Sequence, residues 1–194
     1  MAPRARCFRD GAGAQCLARH ARCGADRFCR TSTALMGGVV DQLREIFPDA
    51  TFASAANISE LGDEAGAYAL LIEMAEPVVF SRKALGAAKL QGPLVYAGSA
   101  TGPGGIGARL SRHFRKDKPI RWHVDELTTR AAHIEALAIP GGSECEIVSQ
   151  LLGTGKFRPA LSGFGSSDCS VCPAHLLQPI PATQQSQLRG RHPA

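Results

Sequence analysis

Two neighbouring glutamates, Glu144 and Glu146, stand where a segment with helical periodicity begins, and either could supply a metal-binding carboxylate. Ser143 and Glu146 have the spacing of a capping box, in which the glutamate side chain bonds back to the N–H of the capping residue. Glu146 therefore has a structural explanation. Glu144 lies on the same predicted helix face as the apolar residues that follow, so we expect its carboxylate to face the protein. Because an unpaired buried charge is costly, its partner would be a divalent cation or an arginine such as Arg109. The alternative is a first-turn glutamate stabilised by the helix dipole.

A run of positive charge covers residues 109–121, where six lysines and arginines stand against one acid, Asp117. Such clusters bind phosphate groups because counterions are released from the nucleic acid. The alternative is a solvated helix face. Trp122 follows the run and could stack on a base, although a lone tryptophan favours a place in the core. The candidate contacts to nucleic acid are Arg112, His113, Arg115, Lys116, Lys118 and Arg121.

Cys169, Cys172 and His175 have the spacing of metal ligands near the C-terminal end. A structural Zn²⁺ site needs four ligands, and these residues supply three. Because no second Cys/His pair has a fitting spacing, free thiols packed in a loop are the favoured interpretation, and Zn²⁺ is the alternative. A redox pair lacks the βαβ context that such pairs have. The fourth ligand of a metal site would be His123, Asp168 or Cys145.

Three glycines, Gly102, Gly104 and Gly107, spell the G-x-G-x-x-G pattern between a predicted strand and a predicted helix. A dinucleotide-binding turn also needs an acidic residue on a second strand about 20 positions later, and the segment that follows here is basic. No Gly-Lys-Ser/Thr sequence is present, which excludes a P-loop. We therefore interpret the glycines as a tight connection from strand to helix.

The composition is that of an ordinary soluble domain, with 44% hydrophobic and 20% charged residues. No apolar stretch approaches the ~20 residues that cross a bilayer, so no membrane partner is predicted. Residues 1–35 hold seven arginines against two acids and so account for the net charge of +5. With no secretory segment evident, the seven cysteines favour a reducing compartment, and the cytoplasm is the expected location.

Apolar periodicity predicts an amphipathic helix from Met36 that is stopped by Pro48. Residues 1–35 are expected to be a disordered or non-native leader, with an organelle-targeting segment as the alternative. Residues 36–59 would form an N-terminal helix and loop, residues 60–177 the main domain, and residues 178–194 a disordered tail.

The main domain alternates apolar strand-like runs with helical patterns, which predicts an α+β fold whose small, mainly antiparallel central sheet is flanked by helices. The predicted elements are strands over 66–74, 77–81, 93–98 and 133–139, and helices from about Ile106 to before Pro119, near 124–129, and from Ser143 to Gly153.

Four landmarks follow one another along the chain: Gly66-Ala67-Tyr68, Tyr96-Ala97-Gly98, Arg109 and Glu144. Their order resembles the GIY-YIG nuclease superfamily, although both middle isoleucines are alanine here. The stretches Trp122–Asp125 and Gly163–Cys169 resemble one subgroup, which occurs alone or fused to DNA-repair glycosylase-like domains. The resemblance covers about residues 60–177, and the region Pro77–Gln91 is an insertion relative to the repair and homing endonucleases.

The resemblance implies a Mg²⁺-dependent DNA endonuclease. Glu144 would hold the Mg²⁺, Arg109 would stabilise charge on the scissile phosphate, and Tyr68 would be the general base with Tyr96 beside it. Two alternatives stay open. One is a module with the same fold that binds DNA or another nucleic acid and cleaves it weakly or not at all, since fold and activity can part company. The other is a zinc-stabilised interaction domain.

Overall fold

The computed structural model describes residues 25–181 and residue 184, with side chains from Met36 onward apart from Ala75. Its helices and strands confirm the predicted α+β fold class. Among the described helices, none combines the length and the apolarity that crossing a membrane requires. In chain order the elements are α1 (Ala25–Ile46), β1 (Thr51–Ala53), a short 3-10 turn (Ile58–Glu60), β2 (Gly66–Arg82), β3 (Gly86–Ser99), α2 (Gly105–Phe114), α3 (Asp125–Thr128), β4 (Ala131–Pro140), α4 (Glu144–Gly153), β5 (Phe157–Pro159) and β6 (Leu176–Pro179).

A six-stranded sheet in the order β1-β4-β2-β3-β6-β5 forms the centre of the fold, and its neighbouring strands pair antiparallel. Strand β2 lies between β3 and β4, and its side chains alternate between two buried clusters. Leu70 and Ile72 pack with α2 and α3 on one face, while Ala69 and Leu71 pack with α1 and α4 on the other. Burial on both faces explains why β2 is an unbroken apolar run rather than an alternating one.

Strands β2 and β3 extend well past the rest of the sheet as a two-stranded hairpin. The strand predicted to start separately at Pro77 is instead the continuation of β2, with a register shift between Met74 and Val78. Val78 and Phe80 are buried in the hairpin, which explains why the strand does not end at the proline. Pro77 is tolerated because the shift removes the ladder bond that its missing N–H would have donated.

Two predicted boundaries differ from the ends of the observed elements. The helix predicted to start at Met36 begins at Ala25, so residues 25–35 of the predicted leader are helical, and whether they are native to the protein stays a prediction. The remainder of the predicted leader lies outside the described residues. At the other end, Gln178 and Pro179 pair with β5, so the tail does not begin at residue 178 as expected. Beyond residue 181, all of that tail except residue 184 lies outside the described residues.

The glycine-rich connection before α2 packs against the chain's own backbone. The N–H of Ile106 bonds to the carbonyl of Glu64 at 3.0 Å, and the N–H of Gly107 bonds to that of Gly62 at 3.0 Å. A Cβ at Gly107 would lie 2.5 Å from the Gly62 carbonyl oxygen, so this position requires glycine. Because protein carbonyls already occupy these N–H groups, they do not form a phosphate cradle.

Candidate functional site

A cavity of about 460 Å³ opens where the strands bearing the two predicted triplets meet helices α2 and α4. The four side chains singled out by the resemblance all line it: Tyr68, Tyr96, Arg109 and Glu144. They come from four different elements and lie up to 76 positions apart in the chain, between Tyr68 and Glu144. The fold therefore gathers them into one site.

The register of the β2–β3 hairpin places both tyrosines on the α2 face of the sheet. Tyr68 is paired with Gly98, and Tyr96 is paired with Leu70, two residues further along β2. A Cβ at position 98 would overlap the phenol ring of Tyr68, so the glycine of the second triplet makes room for the tyrosine of the first. Gly165 does the same for Tyr96, whose ring lies 2.8 Å from the place of a Cβ there.

Tyr68 and His113 form a buried pair. The phenol oxygen of Tyr68 lies 2.8 Å from Nε2 of His113, which is one helical turn after Arg109 in α2. Burial raises the pKa of Tyr68 well above its usual range, with the nearby Tyr96 adding to the effect. Burial, reinforced by Lys118, lowers the pKa of His113 to about 3. At neutral pH both partners are therefore uncharged, and the Tyr68 hydroxyl donates to Nε2 when the imidazole proton is on Nδ1.

His113 was predicted among the contacts to nucleic acid, and its position contradicts that role. The residue is fully buried, and its Nδ1 has no hydrogen-bond partner within the described part of the chain. Sequence periodicity placed it at the edge of the cationic face of α2. What periodicity could not show is that the Tyr68 hydroxyl reaches that position from the sheet below.

Asp125 is the centre of a charged network that sequence reasoning did not assign. Its carboxylate accepts two bonds from Arg112, at 2.9 and 3.0 Å, and one each from the N–H groups of Arg121 and Trp122, both at 2.9 Å. Although burial alone favours the protonated acid, these donors together lower the pKa of Asp125. The network fixes the 121–125 turn beside the cavity. The sequence signal that could have identified Asp125 is its place in the Trp122–Asp125 stretch, which resembles the subgroup.

Two predicted phosphate contacts, Lys116 and Lys118, instead bind the protein's own oxygens. Lys116 Nζ donates to the carbonyls of Thr128 and Ala131, each at 2.8 Å. Lys118 Nζ donates to the carbonyl of His113 and the hydroxyl of Thr128, each at 2.8 Å, and burial lowers its pKa to about 8. With Arg112 held by Asp125, three of the predicted cations therefore stabilise the α2–α3 region.

Arg115 and Arg121 are exposed, and among the described residues their guanidinium groups have no hydrogen bond or ion pair; Lys116 is exposed too, but its ammonium group is bound to carbonyls. Arg121 also lines the cavity. Trp122 was expected in the core, but 36% of its surface is exposed, and it lines the same cavity. The guanidinium groups of Arg109 and Arg112 lie 5.0 and 4.3 Å from the centre of its ring. Cation–π contacts with two arginines explain why this tryptophan is stable outside the core.

Arg109 presents an uncommitted guanidinium to the cavity. Among the described residues it has no ion pair, and its buried Nε lacks a hydrogen-bond partner. Gly102 leaves room for it, since a Cβ there would lie 2.9 Å from Nη2. A half-buried cation with open donors suits an anionic ligand.

Glu144 is the first residue of α4, and it is half-buried whereas Glu146 is exposed, as the predicted helix phase requires. The predicted capping box is wrong in its bonding: Ser143 is the N-cap, but its side chain makes no capping bond. The two glutamates therefore differ in burial, and capping does not distinguish them. In the part of the chain that the structure describes, the Glu144 carboxylate has no hydrogen bond or ion pair. Burial raises the pKa of Tyr96 to about 12, and the charge of Glu144 adds to this effect.

A second cluster lies against the same cavity. The sulfur atoms of Cys145, Cys169 and Cys172 and one ring nitrogen of His175 all lie within 4.8 Å of one another. Cys145 is thus the fourth residue that the Cys169–His175 spacing lacked. The N–H of Cys172 bonds to the sulfur of Cys169 at 3.2 Å, and with the N–H of Val171 it lowers the pKa of Cys169 to about 6. Three sulfur ligands and one imidazole are a set that can hold a metal ion.

The chain was compared with known families and proteins. Residues 67–190 match the family described as domain of unknown function DUF123. No curated protein and no solved structure matches the chain. The matched segment begins one residue before Tyr68, contains every residue of the cavity described above, and spans more than half of the sequence. The chain therefore belongs to the DUF123 family.

Proposed function

We propose that this protein hydrolyses phosphodiester bonds in DNA with the help of Mg²⁺, as a nuclease of the GIY-YIG type. The observation that carries the proposal is the lining of one cavity: an uncommitted guanidinium, an uncommitted carboxylate and a tyrosine whose hydroxyl is hydrogen-bonded to a buried histidine behind it. Phosphoryl transfer needs a cation for the phosphate, an anchor for a metal and a route for the proton of the attacking water. These three groups meet those needs.

Glu144 fits a Mg²⁺ ion. Mg²⁺ is usually held by one or two carboxylates, with waters and substrate phosphate oxygens as the other ligands. A half-buried carboxylate with no protein partner among the described residues, open to a cavity, is such an anchor. When bound, the ion would supply Lewis acidity at a phosphoryl oxygen.

Tyr68 and His113 can carry the proton of the attacking water without creating an isolated phenolate. The water gives its proton to the Tyr68 oxygen while the Tyr68 hydroxyl proton moves to Nε2 of His113, 2.8 Å away. The raised pKa of Tyr68 and the lowered pKa of His113 both oppose charge separation in the empty cavity. The relay therefore depends on a more acidic attacking water, which a metal ion at Glu144 would provide. The charge of Arg109 does not assist it, because Arg109 lowers the pKa of His113 further.

Arg109 and Tyr96 would act on the substrate itself. The open donors of Arg109 face the place of the scissile phosphate and would stabilise charge that develops there. Tyr96, with a pKa of about 12, stays protonated and can donate a hydrogen bond to a phosphate oxygen. Arg121 and Trp122, at the mouth, offer a phosphate contact and a stacking surface for the adjoining nucleotide.

The test is incubation of the full chain with branched, nicked and single-stranded DNA in the presence of Mg²⁺. We expect cleavage of at least one substrate, a loss of about 100-fold or more in Glu144→Gln, and near-normal activity in the matched control Glu146→Gln. Loss of cleavage in the control alone would overturn the assignment of Glu144.

The second candidate is a nucleic-acid-binding module that retains the fold without hydrolysis. Exposed Arg115, Arg121 and Trp122 favour it, because they can bind a phosphate backbone and a base without any chemistry. Binding of all three DNA forms without cleavage of any would establish this function and exclude the proposed nuclease activity.

We also propose that the ion suited to Cys145, Cys169, Cys172 and His175 is Zn²⁺ rather than Mg²⁺. Thiolates and imidazole are ligands that Zn²⁺ prefers, whereas Mg²⁺ takes oxygen. This ion would stabilise the fold and is compatible with the nuclease, so it need not indicate a separate interaction domain. Elemental analysis of protein purified without chelator should find one zinc per chain, lost on Cys172→Ser; protein without zinc would refute the assignment.

A further inference from the structure

The Cys145–His175 cluster and Glu144 are neighbours in the chain as well as in space. Cys145 follows Glu144 directly in the first turn of α4, while the other three cluster residues belong to the segment 163–175. Cys169 and His175 line the cavity together with Glu144. The cluster therefore joins two walls of the candidate site.

The segment 163–175 is fixed to the sheet by its own hydrogen bonds. The N–H of Gly163 bonds to the carbonyl of Pro173 at 2.8 Å, and the N–H of His175 bonds to that of Phe164 at 2.8 Å. The carbonyl of His175 in turn accepts from the N–H of Ala97 in β3, at 2.9 Å. This wall has a defined position without a metal ion.

The first turn of α4 has fewer restraints. The helix is anchored in the core by Ile147, Val148 and Leu151, whereas Glu144 and Cys145 are half-buried and Glu146 is exposed. Ser143 provides no side-chain cap. Cys145 joins this turn to the 163–175 segment: its sulfur lies 3.5 Å from that of Cys169 and also interacts with that of Cys172.

We propose that a Zn²⁺ ion held by the four residues clamps the first turn of α4 to the 163–175 segment, and that Cys145 thereby positions the Glu144 carboxylate at the cavity. The proposal rests on the proposed nuclease function where it concerns Mg²⁺. Residues that orient a metal ligand from outside typically change metal affinity by 10–100-fold when they are replaced. The two metal sites are then linked through one peptide bond.

The experiment uses the full chain in four forms: unmodified, Cys145→Ser, Cys145→His, and unmodified protein from which zinc is removed by a chelator. Zinc content, hydrogen exchange of the amides in α4, and binding of Mn²⁺ as a spectroscopic substitute for Mg²⁺ are measured on each, followed by the Mg²⁺ dependence of DNA cleavage. Chelated protein covers the case in which Cys145→Ser does not fold.

We expect one zinc in the unmodified chain. Loss of zinc should speed exchange of the amides of residues 147–150, whose hydrogen-bond acceptors are the carbonyls of residues 143–146, while leaving β2 unchanged. It should also weaken Mn²⁺ binding by about 10-fold or more. Cys145→His, which restores a zinc ligand, should recover most of the slow exchange and most of the Mn²⁺ affinity. A purely structural role would raise exchange throughout the sheet and would lower the amount of active protein without changing its Mg²⁺ dependence.

Three results would overturn the clamp. One is the absence of zinc in the unmodified protein, and another is a disulfide between Cys145 and Cys169 found by thiol titration. The third is zinc loss that leaves both the α4 exchange and the Mn²⁺ affinity as they were. If the protein never cleaves DNA, zinc content and exchange still decide for or against the clamp; if it cleaves DNA without zinc dependence, the clamp fails and the nuclease stands.

Discussion

At the residue scale, the proposed chemistry depends on the hydrogen bond between the Tyr68 hydroxyl and Nε2 of His113, beside a cavity that Tyr68, Arg109 and Glu144 line. The family resemblance identified the tyrosine, the arginine and the glutamate as site residues from the sequence, and the fold brings them together. It did not identify His113 as the partner of Tyr68. That pairing joins residues 45 positions apart, and no local pattern encodes a contact between a strand and a helix at that separation.

Tyr68→Phe tests the proton route directly. The substitution keeps the ring that fills the space beside Gly98 and removes the oxygen that receives the water's proton. We expect kcat to fall by roughly 10²–10⁴-fold, the usual contribution of a positioned acid–base group, with DNA affinity almost unchanged. Tyr96→Phe is the matched control and should cost about 10-fold or less, as expected for one hydrogen bond to the substrate. Equal losses in the two variants would contradict the assignment of roles.

His113 should make the folded state sensitive to acid. Its pKa is lowered from 6.5 to about 3 on folding, so below pH 6.5 the unfolded chain binds more protons than the folded one. Stability from this residue is complete above about pH 6.5 and declines as the pH falls towards 3. The free energy of unfolding should drop by about 1.4 kcal/mol per pH unit, or on the order of 2 kcal/mol between pH 6.5 and 5.

Urea unfolding at pH 7, 6 and 5 measures this dependence. His113→Gln should flatten it, whereas His133→Gln, which changes a histidine whose side chain is 53% exposed, should not. A pH dependence that persists unchanged in His113→Gln would show that other groups are responsible.

At the scale of elements, the β2–β3 hairpin sets the geometry of the site. Its register opposes Tyr68 to Gly98, and its extension carries Phe80 to within 4.9 Å of Phe164 and 5.8 Å of His123, measured between ring centres. The Pro77–Gln91 region therefore supports a wall of the cavity. Apolar periodicity predicted the helices, because each buries one stripe, and the unbroken apolar run predicted β2, because it is buried on both faces. It could not predict that β2 runs through Pro77, since that depends on pairing with β3.

Gly98→Ala tests the link between register and site. The added Cβ would overlap the ring of Tyr68, which is buried and held in place by its hydrogen bond to His113. We expect a loss of about 1–3 kcal/mol in stability, typical of overpacking, together with loss of DNA cleavage. Gly153→Ala makes the same chemical change at the end of α4 where no atom lies within 4 Å, and it should be neutral or slightly stabilising in thermal unfolding. A Gly98→Ala protein as stable and as active as the control would refute the steric argument.

At the scale of the whole molecule, the positive charge suggested by the composition is divided among different tasks. Residues 1–35 hold seven arginines and two acids and so account for the whole net charge of +5, and the rest of the chain is neutral overall. Within the basic run, Arg112, Lys116 and Lys118 bind internal oxygens. Counting charges along the sequence could not distinguish these cations from those without a partner in the protein. Their partners are Asp125 and backbone carbonyls, and only the fold brings these into contact with them.

The salt dependence of DNA binding should therefore reflect few phosphate contacts from the folded body. Arg115→Ala and Arg121→Ala, made singly in the full chain, should each reduce the slope of log K against log salt concentration by about 0.9. Arg130→Ala is the control, because Arg130 is exposed but lies away from the cavity. It directly precedes β4, whereas Ala138, which pairs with Tyr68, lies near the other end of that strand. Binding titrations between low and physiological salt would measure all three slopes. If the control lowers the slope as much as the other two, DNA does not bind across the cavity mouth, and its path over the molecule must be placed elsewhere.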